Sequence, residues 1–462
     1  VRNNTAELLG VETNLLINTQ VMKTWRWDRT YALKYDLTKA LKFDYNGQAQ
    51  ALIGEPAGEI NREDAEGYQA YRDSVIRNLE NAGEITTYNH NITGSYKLPF
   101  DKLPLVNFIS SDIRYQGSFR WDRAPFSQDS IGNTIQNSRN LSLNAQANFA
   151  NLYNKIPGVK DLLNPPRRSP SAREIRNEDR DGFGNEEEEE KIKFEINPLA
   201  VLVRLIASVQ NVSGSMTRNE GILLPGYNQK ARFGGFDSQF LAPGPEFLLG
   251  HQNTNWQGDQ VRDFATEFAN EGWLQSEAVQ NQQYTQTYQE TFNVRANLEP
   301  IKYLKIELTA NRNISQNYTS FFRYDENVGD FIYESPNEVG QFSATVMSWN
   351  TAFVEDDVDD AFNSDTWDYF LKQARLKVSE RLNDATYQLD APENTGYYSG
   401  FGATSQDVTI PAFISAYLGL DAEDVPLDVF NTPIAPNWRV TFDGLTKNAF
   451  FKQYFKRFNL SH

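Results

Sequence analysis

The fold class this sequence predicts is all-β: a segment of a very large transmembrane antiparallel β-barrel with long, partly helical outer cap loops. Two observations predict it. Between Tyr284 and Tyr318 the chain writes one long hairpin whose arms run roughly 15 residues each, where soluble strands average about 5–6. The aromatic content is 13% in a chain whose mean hydropathy is −0.60, as the interfacial girdles of such barrels require. No stretch approaches the roughly 18 consecutive apolar residues of a helical span.

The first hairpin arm places Tyr284, Tyr288, Phe292, Val294, Ala296 and Leu298 in alternation with Thr and Asn residues. After Glu299-Pro300 the second arm resumes with Leu304, Ile306, Leu308, Ala310 and Ile314. Period-two alternation is a strand signal. At about 3.3 Å per residue and a tilt of about 40°, the stripe from Leu304 to Ile314 stands roughly 25 Å tall. Phe292, Val294, Leu298, Leu304, Ile306 and Leu308 are therefore expected to face lipid or a partner, and the polar face to line a wet lumen. Pairing Leu298 with Leu304 across the turn sets Glu290 opposite Arg312, the two charges on the apolar face. Opposite charges across a sheet stabilise it modestly, and either one alone in lipid is costly.

The other strands follow in order, for roughly ten in all. Trp25, Trp27, Tyr31, Leu33, Tyr35 and Leu37 form the first, and a tight turn at 38–40 leads into Leu41 to Ile53. Tyr88 to Leu98, Ile109 to Trp121, Leu141 to Phe149 and Ala200 to Val212 come next, and Trp438, Val440 and Phe442 begin a later one. The segments Trp25 to Arg29 and Phe119 to Arg123 resemble each other and fall at equivalent strand ends. Trp25, Trp27, Tyr31, Phe119 and Trp121 are thus expected at an interfacial girdle.

Strands are expected over 1–53, 85–151, 199–212, 284–318 and 436–462. Long outer connections are expected at 54–84, 213–283 and 319–435, with a further outer loop at 123–138. Two of them carry helical spacing: Tyr68, Tyr71, Val75, Ile76 and Leu79, and Trp367, Phe370, Leu371, Ala374, Val378 and Leu382. The remaining connection, 152–198, is expected on the periplasmic side. Its stretch from Pro165 to Lys193 is proline-broken and charge-rich, ending in Glu186 to Glu190, and cannot bury a core. Asn177, Asp179, Asp181 and Glu188 there match positions 1, 3, 5 and 12 of a calcium-loop template. A solvated acidic linker is the plainer reading of that stretch.

Composition narrows the chemistry. A net charge of −17 argues against a nucleic-acid partner. With no cysteine, neither disulfides nor thiolates contribute. The three histidines, His90, His251 and His462, make no triad-like grouping, so no enzyme and no cofactor is expected. The chain opens at Val1 without Met, shows no signal peptide and stops at His462 after an aromatic run; it is read as a piece of something longer.

Words along most of the chain carry a resemblance. Trp27-Asp28-Arg29-Thr30-Tyr31-Ala32-Leu33-Lys34-Tyr35-Asp36-Leu37-Thr38-Lys39, Ile53 to Gly58, Leu224-Pro225-Gly226-Tyr227 and Ala242-Pro243-Gly244 with Phe247 and Gly250 come first. Asp407-Val408-Thr409-Ile410-Pro411-Ala412-Phe413, Pro436-Asn437-Trp438-Arg439-Val440, Gly444-Leu445 and Phe458-Asn459-Leu460-Ser461-His462 follow. Together they resemble the SprA/Sov family, the outer-membrane translocon of the type 9 secretion system of Bacteroidota. The resemblance implies a protein-conducting channel in the outer membrane that exports folded cargo with C-terminal targeting domains, including gliding-motility adhesins. It also implies a lipid bilayer, a PorV-like barrel, a plug protein and periplasmic accessory proteins as partners. A TonB-dependent transporter and a non-transport surface structural protein are the alternatives.

Overall fold

The computed structural model describes residues 23–56, 62–125, 127–156, 207–255, 260–276, 281–301, 303–347, 350–351, 353–355, 364–389, 391–428, 430, 434–447 and 460–461. Its frame is one antiparallel sheet of eleven strands. These are β1 Trp25–Asp36, β2 Leu41–Ile53, β3 Glu84–Leu98, β4 Ile109–Asp122, β5 Asn133–Asn148, β6 Val209–Tyr227, β7 Tyr284–Ile301, β8 Leu304–Asp325, β9 Asp330–Ala344, β10 Asn437–Phe442 and β11 Leu460–Ser461. Consecutive strands from β1 to β8 are neighbours, so the sheet is a meander built from hairpins.

Beyond β8 the order branches. The upper half of β8 pairs with β9, from Asp325↔Asp330 down to Arg312↔Ala344. Its lower half pairs with β10, from Thr309↔Asn437 to Leu304↔Phe442. Both strands run antiparallel to β8, so β9 and β10 are two halves of one strand line, interrupted at mid-height. The chain between them leaves and returns at one point, where the Ala435 amide donates to the Thr345 carbonyl at 3.1 Å.

Among the described residues the helices lie in the connections. They are α1 Ala65–Glu80, α2 Phe149–Tyr153, α3 Pro245–Leu248, α4 Phe264–Asn270, α5 Asp365–Tyr369, α6 Arg375–Thr386 and α7 Gln406–Leu418. A π-helical turn at Phe370–Ala374 joins α5 to α6. Asp64 caps α1 by accepting from the Gly67 amide, and Asp263 caps α4 by accepting from Ala265 and Thr266, each satisfying amides that a first turn leaves open.

Several expectations need correction. In the long hairpin Leu298 pairs with Ile306 rather than Leu304, and Arg312 stands opposite Phe292 rather than Glu290. The strand continues to Ile301 through an irregular step after Leu298, and Tyr303 turns the chain at a φ of 75°. The register therefore moves by two, which leaves every side chain on its expected face. β5 starts at Asn133, not Leu141. β6 runs on to Tyr227, into the expected outer loop. β8 extends to Asp325, and β9 lies wholly inside the expected cap insertion. Ala200 to Ile206 lie outside the described residues, as do Asn177, Asp179, Asp181, Glu188 and the whole acidic stretch.

Candidate functional site

Register sorts the side chains of β1 to β8 onto two faces of unlike chemistry. One row of the first face reads Ala32, Asn46, Asn91, Ser118, Ser138, Gly221, Thr287 and Asn317, strand by strand. Amides and hydroxyls dominate this face along β5 to β8, and they hydrogen-bond sideways: Ser118 with Ser138, and Asn140 to Asn219. An open hollow of about 580 Å³ on it is lined by Asp112, Asn144, Ser215, Asn293, Arg295 and Asn311 among others.

The second face divides by height. In its lower part the rows are apolar: Leu143, Met216 and Phe292; then Gly214, Val294 and Ala310; then Val212, Ala296, Leu308 and Trp438; then Leu298, Ile306 and Val440. Phe292, Val294, Leu298, Leu304, Ile306 and Leu308 share this band and are all partly exposed. On β1 and β2, Trp25, Trp27, Tyr31, Leu33, Tyr35 and Phe43 are exposed too.

The upper part of the same face is covered by the connection between β6 and β7. Phe247, Phe264 and Phe268 from α3 and α4 pack on Tyr88, Phe119, Trp121, Ile222 and Tyr284 from the sheet. Phe119 and Trp121, expected at an open girdle, are instead fully buried under this cap. Trp25 and Trp27 do stand on the same face at the equivalent upper strand end, but they are exposed where Phe119 and Trp121 are covered.

Polar side chains of the sheet read the cap's backbone. His90 Nε2 donates to the Leu248 carbonyl at 2.8 Å, leaving Nδ1 to accept from the Tyr88 hydroxyl at 3.3 Å. Tyr115 donates to the Leu249 carbonyl at 2.7 Å, Trp121 Nε1 to the Gln229 carbonyl at 3.0 Å, and Asn137 Nδ2 to the His251 carbonyl at 2.7 Å. Each bond contributes about 1 kcal/mol net, and breaking one strands a buried partner at a cost of about 1–3 kcal/mol.

Between the cap and the apolar band runs a belt of charge. Arg139 pairs with Glu220 across β5 and β6 at 2.5 Å. Arg218 pairs with Glu290 directly across β6 and β7 at 2.7 Å. Arg312 reaches the same carboxylate diagonally from β8, at 2.5 Å. The Tyr288 hydroxyl donates to Glu290 at 2.9 Å, and Thr254 of the cap donates to Glu220. Four of the five charged side chains are 7% exposed or less, and Arg312 is 28% exposed. Burying ions so deeply is tolerable only because each is paired and hydrogen-bonded.

Glu290 and Arg312 were legible as a pair, although their registration is diagonal. Arg218 and Glu220 were not, because β6 was expected to stop at Val212, nor was Arg139, because β5 was expected to start at Leu141. The alternation Met216, Arg218, Glu220, Ile222, Leu224 held the signal.

Among the described residues no helix is long and apolar enough to cross a membrane, and no group of three His, Asp or Glu is placed to hold a metal ion. No family model matches the chain, and no curated protein matches it.

Proposed function

We propose that this chain forms part of the wall and outer cap of a large outer-membrane β-barrel that conducts proteins. The observation that carries the reading is the division of the second face into an open apolar band and a covered zone, with the ion belt as the boundary. From Glu290 to Leu298 the band measures about 26 Å along the strand, or about 20 Å of height at a tilt of about 40°. That approaches the roughly 25 Å lipid-facing band of an outer-membrane barrel. The belt then sits at the headgroup level, and the cap rises above it outside the bilayer. The opposite face supplies a wet wall of Asn, Ser, Thr and Gln along β5 to β8, joined by charges such as Asp112, Arg295 and Glu307.

Protein cargo, and the type 9 secretion system as the setting, rest on the family resemblance. It adds the PorV-like barrel, the plug protein and cargo with C-terminal targeting domains as partners.

The chain contains no cysteine, so single cysteines report faces cleanly. Asn293→Cys and Asn311→Cys should react with a water-soluble maleimide in reconstituted protein. Val294→Cys and Ala310→Cys should be shielded from it and quenched by a lipid-phase probe. Equal labelling of all four would remove the bilayer from the reading. Purification in gentle detergent with mass spectrometry tests the setting. A PorV-like barrel, a plug protein or targeting-domain cargo supports the translocon, whereas a surface lipoprotein lid with TonB-linked components points to nutrient uptake.

A further inference from the structure

The helical insertion between β9 and β10 carries a surface that the barrel does not use. α7 buries Val408, Ala412, Ser415 and Ala416 against α6 and the π-turn. Its opposite side presents Ile410, Phe413 and Tyr417, continued by Leu420, at 38%, 47%, 45% and 37% exposure. Spacings of three and four residues put them in one stripe along the helix, where an ordinary surface helix carries polar side chains. Phe413 stacks on Tyr417 at 5.8 Å and meets the edge of Phe370 at 6.0 Å. Trp367, 52% exposed, lies on Phe370 at 5.1 Å and widens the patch. Phe370 itself opens the π-turn, a device found frequently at functional sites.

The electrostatics of the insertion are one-sided. Residues 345–436 hold 16 acidic and 4 basic side chains, a net −12 of the chain's −17. Asp365 precedes Trp367 by two residues, Asp407 lies one turn before Ile410, and Asp421 follows Leu420, so carboxylates border the patch. The four cations are engaged elsewhere. Lys372 pairs with Asp368, and Lys377 with Glu380 and Glu423. Arg375 and Arg381 donate to carbonyl groups.

We infer that this patch docks a basic amphipathic helix from a protein partner, its apolar stripe on Phe413, Tyr417 and Trp367 and its Lys or Arg residues against the acidic border. Aromatic anchors inside a charged rim are the usual anatomy of a helix-binding surface. Charge selects the occupant. A second copy would bring one acidic rim against another, and an anionic lipid surface would repel the module. The inference does not depend on protein conduction by the barrel.

The test uses the whole chain in nanodiscs of zwitterionic lipid, with empty discs as the blank and fluorescence anisotropy as the readout. The probes are a synthetic amphipathic leucine–lysine peptide, its leucine–glutamate counterpart, and a lysine peptide without the apolar stripe. The leucine–lysine peptide should bind, more weakly as salt rises, and the other two should not. Phe413→Ser with Tyr417→Ser should weaken binding about tenfold or more. Asp365→Asn, Asp407→Asn and Asp421→Asn together, all exposed and with Asn able to keep the turn bond that Asp421 accepts from the Glu423 amide, should weaken it as well. Equal binding of the glutamate or plain lysine peptide would overturn the inference, as would undiminished binding by both variants. Dimerisation that rises with concentration and is lost in the serine variant would assign the patch to a second copy instead.

Discussion

Gly117 and Leu249 touch through bare backbone: a methyl group on Gly117 would stand 1.9 Å from the Leu249 carbonyl oxygen. Gly250 repeats the approach, since a Cβ there would lie 2.5 Å from the Ser138 carbonyl oxygen. At these two points the cap touches the sheet with no side chain between them. Gly117→Ala should lift residues 244–251 and cost about 1–3 kcal/mol, as overpacking does. Amide exchange in that loop should rise, whereas Gly214→Ala, which meets only ordinary contacts near 3.7 Å, should leave it unchanged.

Glu290 is the centre of the ion belt, with Arg218 on one side and Arg312 on the other. Glu290→Leu alone leaves the buried Arg218 without its carboxylate, and should destabilise by about 3–5 kcal/mol. Glu290→Leu with Arg218→Met removes the buried pair and leaves only the part-exposed Arg312 without that carboxylate, so it should recover much of the loss. Denaturant midpoints of the single and double variants check it. A double variant no better than the single would mean the pair is not a unit.

The apolar band should refuse charge where the polar face accepts it. Val294→Arg, placed in the middle of the band, should cost about 2–4 kcal/mol for folding into lipid vesicles. Asn293→Arg, one residue away on the opposite face, should shift stability by about 0.5 kcal/mol or less. Refolding titrations in vesicles measure both.

The cap should loosen in acid. A hydrogen bond from Arg262 holds the Glu246 carboxyl below its ordinary value of 4.5, and Arg262 Nε also binds Glu267 at 2.8 Å. A depressed carboxylate contributes fully above its unfolded value and loses that contribution as pH falls through the lower folded one. Exchange of residues 260–271, corrected for intrinsic rates, should therefore rise only below about pH 4.5. Glu246→Gln should abolish the pH step. The Lys377 ammonium, raised from 10.5 to about 12 chiefly by Glu423, runs the opposite way. Its contribution is whole below 10.5 and is lost as pH passes about 12.

The strands with clean alternation could be read from the chain, because a sheet with one wet face and one apolar face writes period two into every strand. β7 and β8 are of this kind, and they carry the two faces that the proposed function rests on. β9 was missed for a physical reason: Ser335 bends it at a φ of 51°, and Pro336 with Glu338 removes the apolar beat. The upper end of β6, Leu223-Leu224-Pro225-Gly226-Tyr227, reads like a loop because it is covered by the cap and no longer alternates. The ion belt needed pairing between strands about 70–80 residues apart in sequence, Arg218 with Glu290 and Arg139 with Glu220, and a single strand's pattern does not encode its neighbour's register.

The broken strand line of β9 and β10 sets how this architecture can change. Thr345 and Ala435 stand side by side, so the insertion leaves and re-enters the strand line at one place, with Phe430 also resting on Phe342 of β9. A module of any size fits at such a place without altering strand number, shear or the order of the sheet. An engineer can therefore graft a reporter or a binding domain there and leave the frame standing.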